Sequence, residues 1–235
     1  MAAVIRGTES HATQLSVFDE SSNEMYKWMA ANEYAVAFDF APDSKGAAVC
    51  TVRAENGELV STVYLLDFSK DSEAFQVELP GEMAVSVRYA SQNEIAVVTD
   101  KAATVLTDKG RQKGRFAYQD ESLLSYCYAG SERLLVLTGS DSVDAPAHLT
   151  VIGMDGKVDS QGEAAANVTA MAADDSNIYL LYKDSVRQLD RNQKRSRTVN
   201  LQFSGSGMTA SNNKAYILGQ NNLFMVDFST LSYDK

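Results

Sequence analysis

Repetition is what most constrains this chain. Five segments repeat one unit: an apolar strand, an alanine, a short polar turn and a second apolar strand. The units run over 36–49 around Ala41, 85–98 around Ala90, 124–137 around Ala129 and 168–181 around Ala173, and the fifth runs to Leu218 around Ala210. The alanines stand 49, 39, 44 and 37 residues apart, close to the ~40–50-residue period of propeller blades, each with four strands.

Each period holds further strands: 103–107 and 115–118 in the second unit, 148–152 in the third, 185–189 and 198–201 in the fourth. In the first unit Asn56-Gly57 separates 47–52 from 60–66, and Asn-Gly suits a hairpin whose two turn positions both take positive φ. No segment keeps a helical period. A four-stranded sheet of this size cannot bury both faces alone, so blades must stack, and inner strands read as near-continuous apolar runs such as Ile95-Ala96-Val97-Val98. The expected fold is all-β: a β-propeller of four-stranded antiparallel blades, partial or open, with about five to six blades. The predicted pieces of this single domain are a partial blade at 1–33, blades at 34–80, 81–121, 122–164 and 165–203, and a partial blade at 204–235.

The ends do not read as whole blades. Segments 2–5, 14–18 and 25–29 look like strands two to four, whereas 208–210, 215–218 and 223–228 look like strands one to three, with 229–235 as a weak fourth. The start therefore falls inside a blade, as expected for a piece of a longer protein. The outer faces of the two terminal blades are expected to be apolar, which points to a homodimer or to ends brought together.

Composition removes several functions. The net charge is −10 and the pI about 4.7, against the basic footprint that nucleic acid requires. Two cysteines, Cys50 and Cys127, lie in apolar runs and make no disulfide framework. No run reaches the ~18 apolar residues of a membrane span. Residues 1–7 are too short for a signal peptide.

The stretch Leu15-Ser16-Val17-Phe18-Asp19, Met25-Tyr26-Lys27-Trp28, Phe38-Asp39-Phe40-Ala41-Pro42-Asp43 and Glu55-Asn56-Gly57-Glu58-Leu59-Val60-Ser61-Thr62-Val63-Tyr64 resembles an uncharacterised, membrane-anchored β-propeller family of clostridial and related bacteria, a domain of unknown function. Members have a short cytoplasmic start, one membrane helix and an external propeller. The turn at 41–46 also resembles the Ser-Pro-Asp-Gly-Lys turn of many bacterial propellers, departing from it at Ala41 and Ser44. The resemblance implies a fold and an extracytoplasmic location, with the anchor absent from this chain. It implies no activity.

Chemistry is sparse. His11 and His148 lie far apart in polar sequence, and no Gly-x-Ser-x-Gly elbow, Walker motif or dinucleotide fingerprint occurs. The carboxylates of the 139–144 loop and of Asp174-Asp175 read as solvated turn residues rather than calcium ligands. Trp28 reads as blade core or rim, not as part of the tryptophan set of a quinone propeller. Asn167-Val168-Thr169 is a formal glycosylation sequon. No catalytic residue, metal ligand or cofactor is expected. Asp39 and Arg88 share a column of successive repeats and are candidates to pair across blades, the alternative being local backbone or water partners. First-strand columns such as Val36, Val85, Leu124 and Val168 are apolar, which disfavours an axial active site. The favoured function is a non-catalytic extracytoplasmic binding or scaffold module; the alternative is a propeller-type hydrolase or lyase with a metal or carboxylate site in the axial channel.

Charge placement gives the one candidate surface. Of the 21 Lys and Arg residues, Lys109, Arg111, Lys113 and Arg115 fall in one short stretch and Arg187, Arg191, Lys194, Arg195 and Arg197 in another. Both occupy the predicted third-to-fourth-strand hairpin of their blades. Such residues protect sheet edges from aggregation; the sharper reading is a rim that docks a protein or an anionic envelope surface.

Overall fold

Turn chemistry cuts the chain into antiparallel strands, and no helix interrupts them among the described residues. The structure, a computed structural model, describes residues 1–70, 75–140, 145–165 and 167–234. The backbone divides into two compact units, 1–117 and 118–235.

In the first unit, β1 (Ala2–Arg6), β2 (Thr13–Phe18) and β3 (Glu24–Ala30) form a three-stranded sheet. Next come two four-stranded sheets: β4 (Tyr34–Phe40), β5 (Gly46–Glu55), β6 (Glu58–Asp67) and β7 (Phe75–Pro80), then β8 (Ala84–Ser91), β9 (Glu94–Thr99), β10 (Ala102–Thr107) and β11 (Gln112–Ala117). Every pairing is antiparallel between chain neighbours. Asn56 and Gly57 join β5 to β6 with φ of 52° and 86°, the two positive values a tight hairpin of that twist needs.

In the second unit, β12 (Ser122–Ala129), β13 (Arg133–Gly139), β14 (Ala147–Gly153) and β15 (Val158–Ala164) form one four-stranded sheet, and β16 (Ala170–Ala173), β17 (Asn177–Leu181), β18 (Ser185–Asp190) and β19 (Ser196–Asn200) another. A three-stranded sheet follows, of β20 (Gly207–Ser211), β21 (Lys214–Leu218) and β22 (Leu223–Asp227). Segment 229–234, expected as a weak fourth strand of this last sheet, is not a strand. It turns away to β19, where the Asp234 N–H donates to the Ser196 carbonyl at 2.7 Å.

Within each unit the sheets stack face to face, as four-stranded blades must to bury both faces. Leu15, Val17 and Trp28 pack with Val49 and Leu66, and Cys50, Val63 and Leu65 with Val87, Ile95 and Val97. In the second unit Leu137 and Leu149 meet Met171 and Leu180, while Tyr179 and Leu181 meet Ala215, Ile217 and Phe228. The central strands β9, β13 and β17 are almost wholly buried, which is why they read as unbroken apolar runs.

The expectation of apolar terminal faces holds fully for one sheet and in part for the other. Opposite its packed face, β20–β22 presents Leu218, Leu223 and Met225 at 53%, 67% and 54% exposure. The equivalent face of β1–β3 is mixed: Gln14, Ser16 and Lys27 lie at its centre beside exposed Val4 and Met29. There Gln14 donates to Ser16, and Lys27 pairs with Glu24.

Candidate functional site

Acids placed just ahead of the first strand organise three of the blades. Glu33, Glu82 and Glu121 each accept a hydroxyl from the second strand: Thr51 at 2.5 Å, Thr99 at 2.7 Å and Thr138 at 2.6 Å. In each case the threonine faces the residue two beyond the acid, namely Ala35, Ala84 and Leu123. Each acid also takes a basic partner, from a different strand every time. Arg53 on β5 reaches Glu33 at 2.9 Å, Arg115 on β11 reaches Glu82 at 2.8 Å, and His148 on β14 binds Glu121 through Nδ1. The acid and threonine keep their places in the blade while the base changes strand.

A second device ties neighbouring blades of the first unit. The Ser61 hydroxyl on β6 donates to the Glu82 carbonyl at 2.9 Å and accepts the Ala84 N–H at 2.8 Å. The Thr13 hydroxyl on β2 does the same with the Glu33 carbonyl at 2.7 Å and the Ala35 N–H at 2.9 Å. In both cases a hydroxyl of one sheet holds the entry to the first strand of the next.

The β16–β19 sheet uses a different chain of contacts. At the turn after β16, the Asp174 carboxylate accepts the N–H groups of Ser176 at 3.0 Å and Asn177 at 2.8 Å, the Tyr179 hydroxyl at 2.7 Å and the Asn213 N–H at 3.0 Å. Burial alone pushes this carboxyl up, yet the donors from Tyr179, Ser176, Asn213 and Asn177 together hold it below its ordinary value of 3.8. Burial and the Asp174 contact raise the Tyr179 phenol. The Tyr179 oxygen accepts from Gln188 Nε2 at 2.8 Å, and Gln188 Oε1 accepts from Arg197 Nε. A continuous polar relay therefore crosses the sheet from the turn to the outermost strand. At its inner end lies an open cleft of about 290 Å³, lined by Gly130, Asp174, Asp175, Ser211, Asn212 and Asn213.

The first unit has a larger cleft, of about 400 Å³, between the turns of its two four-stranded sheets, with Phe75, Tyr89, Asp43, Lys45, Lys70 and Lys109 among its walls. Asp39, a candidate partner of Arg88, accepts the Tyr89 N–H across the two sheets at 2.7 Å.

The nine basic residues lie on the hairpins expected of them, β10–β11 and β18–β19, but they are not equivalent. Lys113 binds Glu94 and Arg115 binds Glu82. Arg187 donates to Ser196, and Arg195 pairs with Asp190 at 3.2 Å. Arg197, only 7% exposed, holds Gln188 and the Leu231 carbonyl. Lys109, Arg111, Arg191 and Lys194 are exposed and make no ion pair among the described residues. Each hairpin belongs to a different compact unit.

The other reactive side chains are enclosed or held. Burial pushes both cysteine thiols up to about 12. Half-buried His11 contacts the Ser10 hydroxyl at 2.9 Å. Asp174 is a half-buried turn cap rather than the fully solvated residue expected, Asp175 is exposed as expected, and the carboxylates Asp141 and Asp144 lie outside the described residues. No cluster of three or more metal-ligating side chains occurs among the described residues.

Residues 1–227 match the sequence profile of the Family of unknown function (DUF5711). No curated protein sequence matches the chain. Among solved structures, the eukaryotic initiation factor superposes with a TM-score of 0.67 at 13% identity, over 99% of this chain and 62% of that one. The Myceliophteria thermophila Cps50 (Swd1) beta-propeller domain gives 0.55 at 11% identity, over 99% and 82%. The C-terminal WD40 domain of Sif2 gives 0.55 at 8%, over 91% and 74%. At such identities the likeness establishes a WD40-like β-propeller fold and nothing further.

Proposed function

We propose that this chain, which belongs to the Family of unknown function (DUF5711), is a non-catalytic binding and scaffold module built on β-propeller blades. The observation that carries this reading is where its ionisable groups go. Glu33, Glu82, Glu121 and Asp174, the carboxylates with the richest surroundings, are engaged by threonine, arginine, histidine, tyrosine or backbone donors of their own or the neighbouring blade. A general acid or nucleophile has to reach a substrate, whereas these carboxylates are taken up by structural donors, including Asp174 at the edge of its cleft.

The groups left for a partner are exposed cations on hairpin turns: Lys109 and Arg111 in the first unit, Arg191 and Lys194 in the second. They suit an anionic envelope surface or an acidic protein. The resemblance of residues 15–66 to membrane-anchored bacterial propellers supports an extracytoplasmic setting. Co-sedimentation with phosphatidylglycerol vesicles and with polyglutamate, at low and high salt, tests the reading. Salt-sensitive binding is expected, because each cation near an anionic surface adds on the order of 1 kcal/mol. Absence of binding to both probes at low salt would remove the anionic partner from the proposal.

A further inference from the structure

Residues 228–234 leave β22 and close over the outer edge of β19. Phe228 is fully buried and meets Tyr179 edge-on, with ring centroids 5.6 Å apart. The Leu231 N–H turns back to the Phe228 carbonyl at 3.2 Å, and the Leu231 carbonyl accepts from Arg197 Nη1. The Tyr233 ring has two guanidinium groups on it, those of Arg195 and Arg197, each 4.5 Å from its centroid. The Asp234 N–H then pairs with the edge carbonyl of Ser196 at 2.7 Å.

Three kinds of recognition meet here: an edge-strand carbonyl taken up by an added segment, a ring against paired guanidinium groups, and an acidic residue in a basic setting. The edge has what it needs to hold an extended peptide. Arg197 is fixed from behind by the relay through Gln188, Tyr179 and Asp174, so the cradle is pre-organised rather than gathered by the segment lying on it.

We propose that the β19 edge, with Arg195 and Arg197, is a docking site for an extended tyrosine–acidic peptide, and that residues 229–234 of this chain occupy it as a displaceable strap. A strap in the same chain acts at an effective concentration of about millimolar. It therefore blocks a peptide supplied from outside at micromolar concentration, and weakening the strap opens the site.

The probe is a fluorescein-labelled peptide with the sequence of residues 229–235, titrated against the native chain and against a Tyr233→Ser/Asp234→Pro variant, which loses the stacked ring and the edge N–H. The variant is expected to bind the peptide at least about tenfold more tightly than the native chain, and adding Arg195→Gln is expected to reverse that gain. Equal binding to native and variant chains, or none to a variant that still melts cooperatively, would overturn the proposal. Should the variant fail to fold, hydrogen exchange on the native chain decides: a docked strap protects the Asp234 amide, and exchange at the rate of a free peptide would overturn it.

Discussion

The Thr99 hydroxyl donates to Glu82 Oε2 at 2.7 Å, and the same hydroxyl accepts the N–H groups of Lys101 at 3.1 Å and Ala102 at 3.0 Å. One side chain thus closes the turn into β10 and fixes the acid that receives Arg115. Thr99→Val is expected to destabilise the first unit by about 1–3 kcal/mol, through unsatisfied buried groups. Glu82→Ala is expected to lose about 1–3 kcal/mol, because it leaves the buried Thr99 hydroxyl and the Arg115 guanidinium without their acceptor. The double variant should lose less than the sum, since both act on one network. Urea unfolding followed through Trp28, the single tryptophan, which packs on Tyr64 in the same unit, measures all three.

Asp174 carries a pH signature. Its carboxyl sits below its ordinary value of 3.8 in the folded chain, so the stability it adds is complete above the unfolded value and is lost as pH falls through the lower folded value. Asp174→Asn is expected to lose about 2 kcal/mol at neutral pH. The gap between native and variant chains should narrow once the pH drops below about 4. Equal stability of the two chains at neutral pH would contradict the saturated cap.

Two glycines separate backbone strain from steric exclusion. A Cβ at Gly57 meets nothing within 4 Å, but φ there is +86°; Gly57→Ala is expected to lose about 1 kcal/mol from the left-handed backbone alone. A Cβ at Gly46 falls 2.4 Å from the Leu66 carbonyl oxygen, so Gly46→Ala must displace backbone and should be the worse of the two. Thermal melts of both variants check the order.

The thiols give a probe of opening. Both are pushed up to about 12 by burial, so a disulfide reagent at pH near 8 finds almost no thiolate in the native chain. Labelling of Cys50 is expected to follow unfolding, and rapid labelling in native buffer would contradict its burial.

The blades were legible because burial on both faces writes itself as apolar runs at a regular period: β9, β13 and β17 read directly from sequence, and Asn56-Gly57 marked its own hairpin. The acid–threonine pairs left a fainter signal, a glutamate followed 18, 17 and 17 residues later by a threonine. It went unread because the basic partner sits on a different strand each time, so no linear motif contains all three residues. The basic hairpins were located correctly, but ion pairing depends on cross-strand register, and nothing linear distinguishes the tied Arg115 from the free Arg111. Segment 229–234, expected as a weak fourth strand, is held instead by Arg195 and Arg197 of another sheet, contacts set by tertiary placement that leave no linear trace.

The central claim is that this chain's charges divide into those that tie blades and those left for a partner. The most direct measurement is vesicle co-sedimentation at low salt, with parallel melts, on the native chain, Lys109→Glu/Arg111→Glu and Arg115→Gln. The account predicts that the double charge reversal weakens binding with little change in melting temperature, and that Arg115→Gln lowers the melting temperature while binding persists. The reverse pattern, with binding lost through Arg115 and untouched by Lys109 and Arg111, would contradict it.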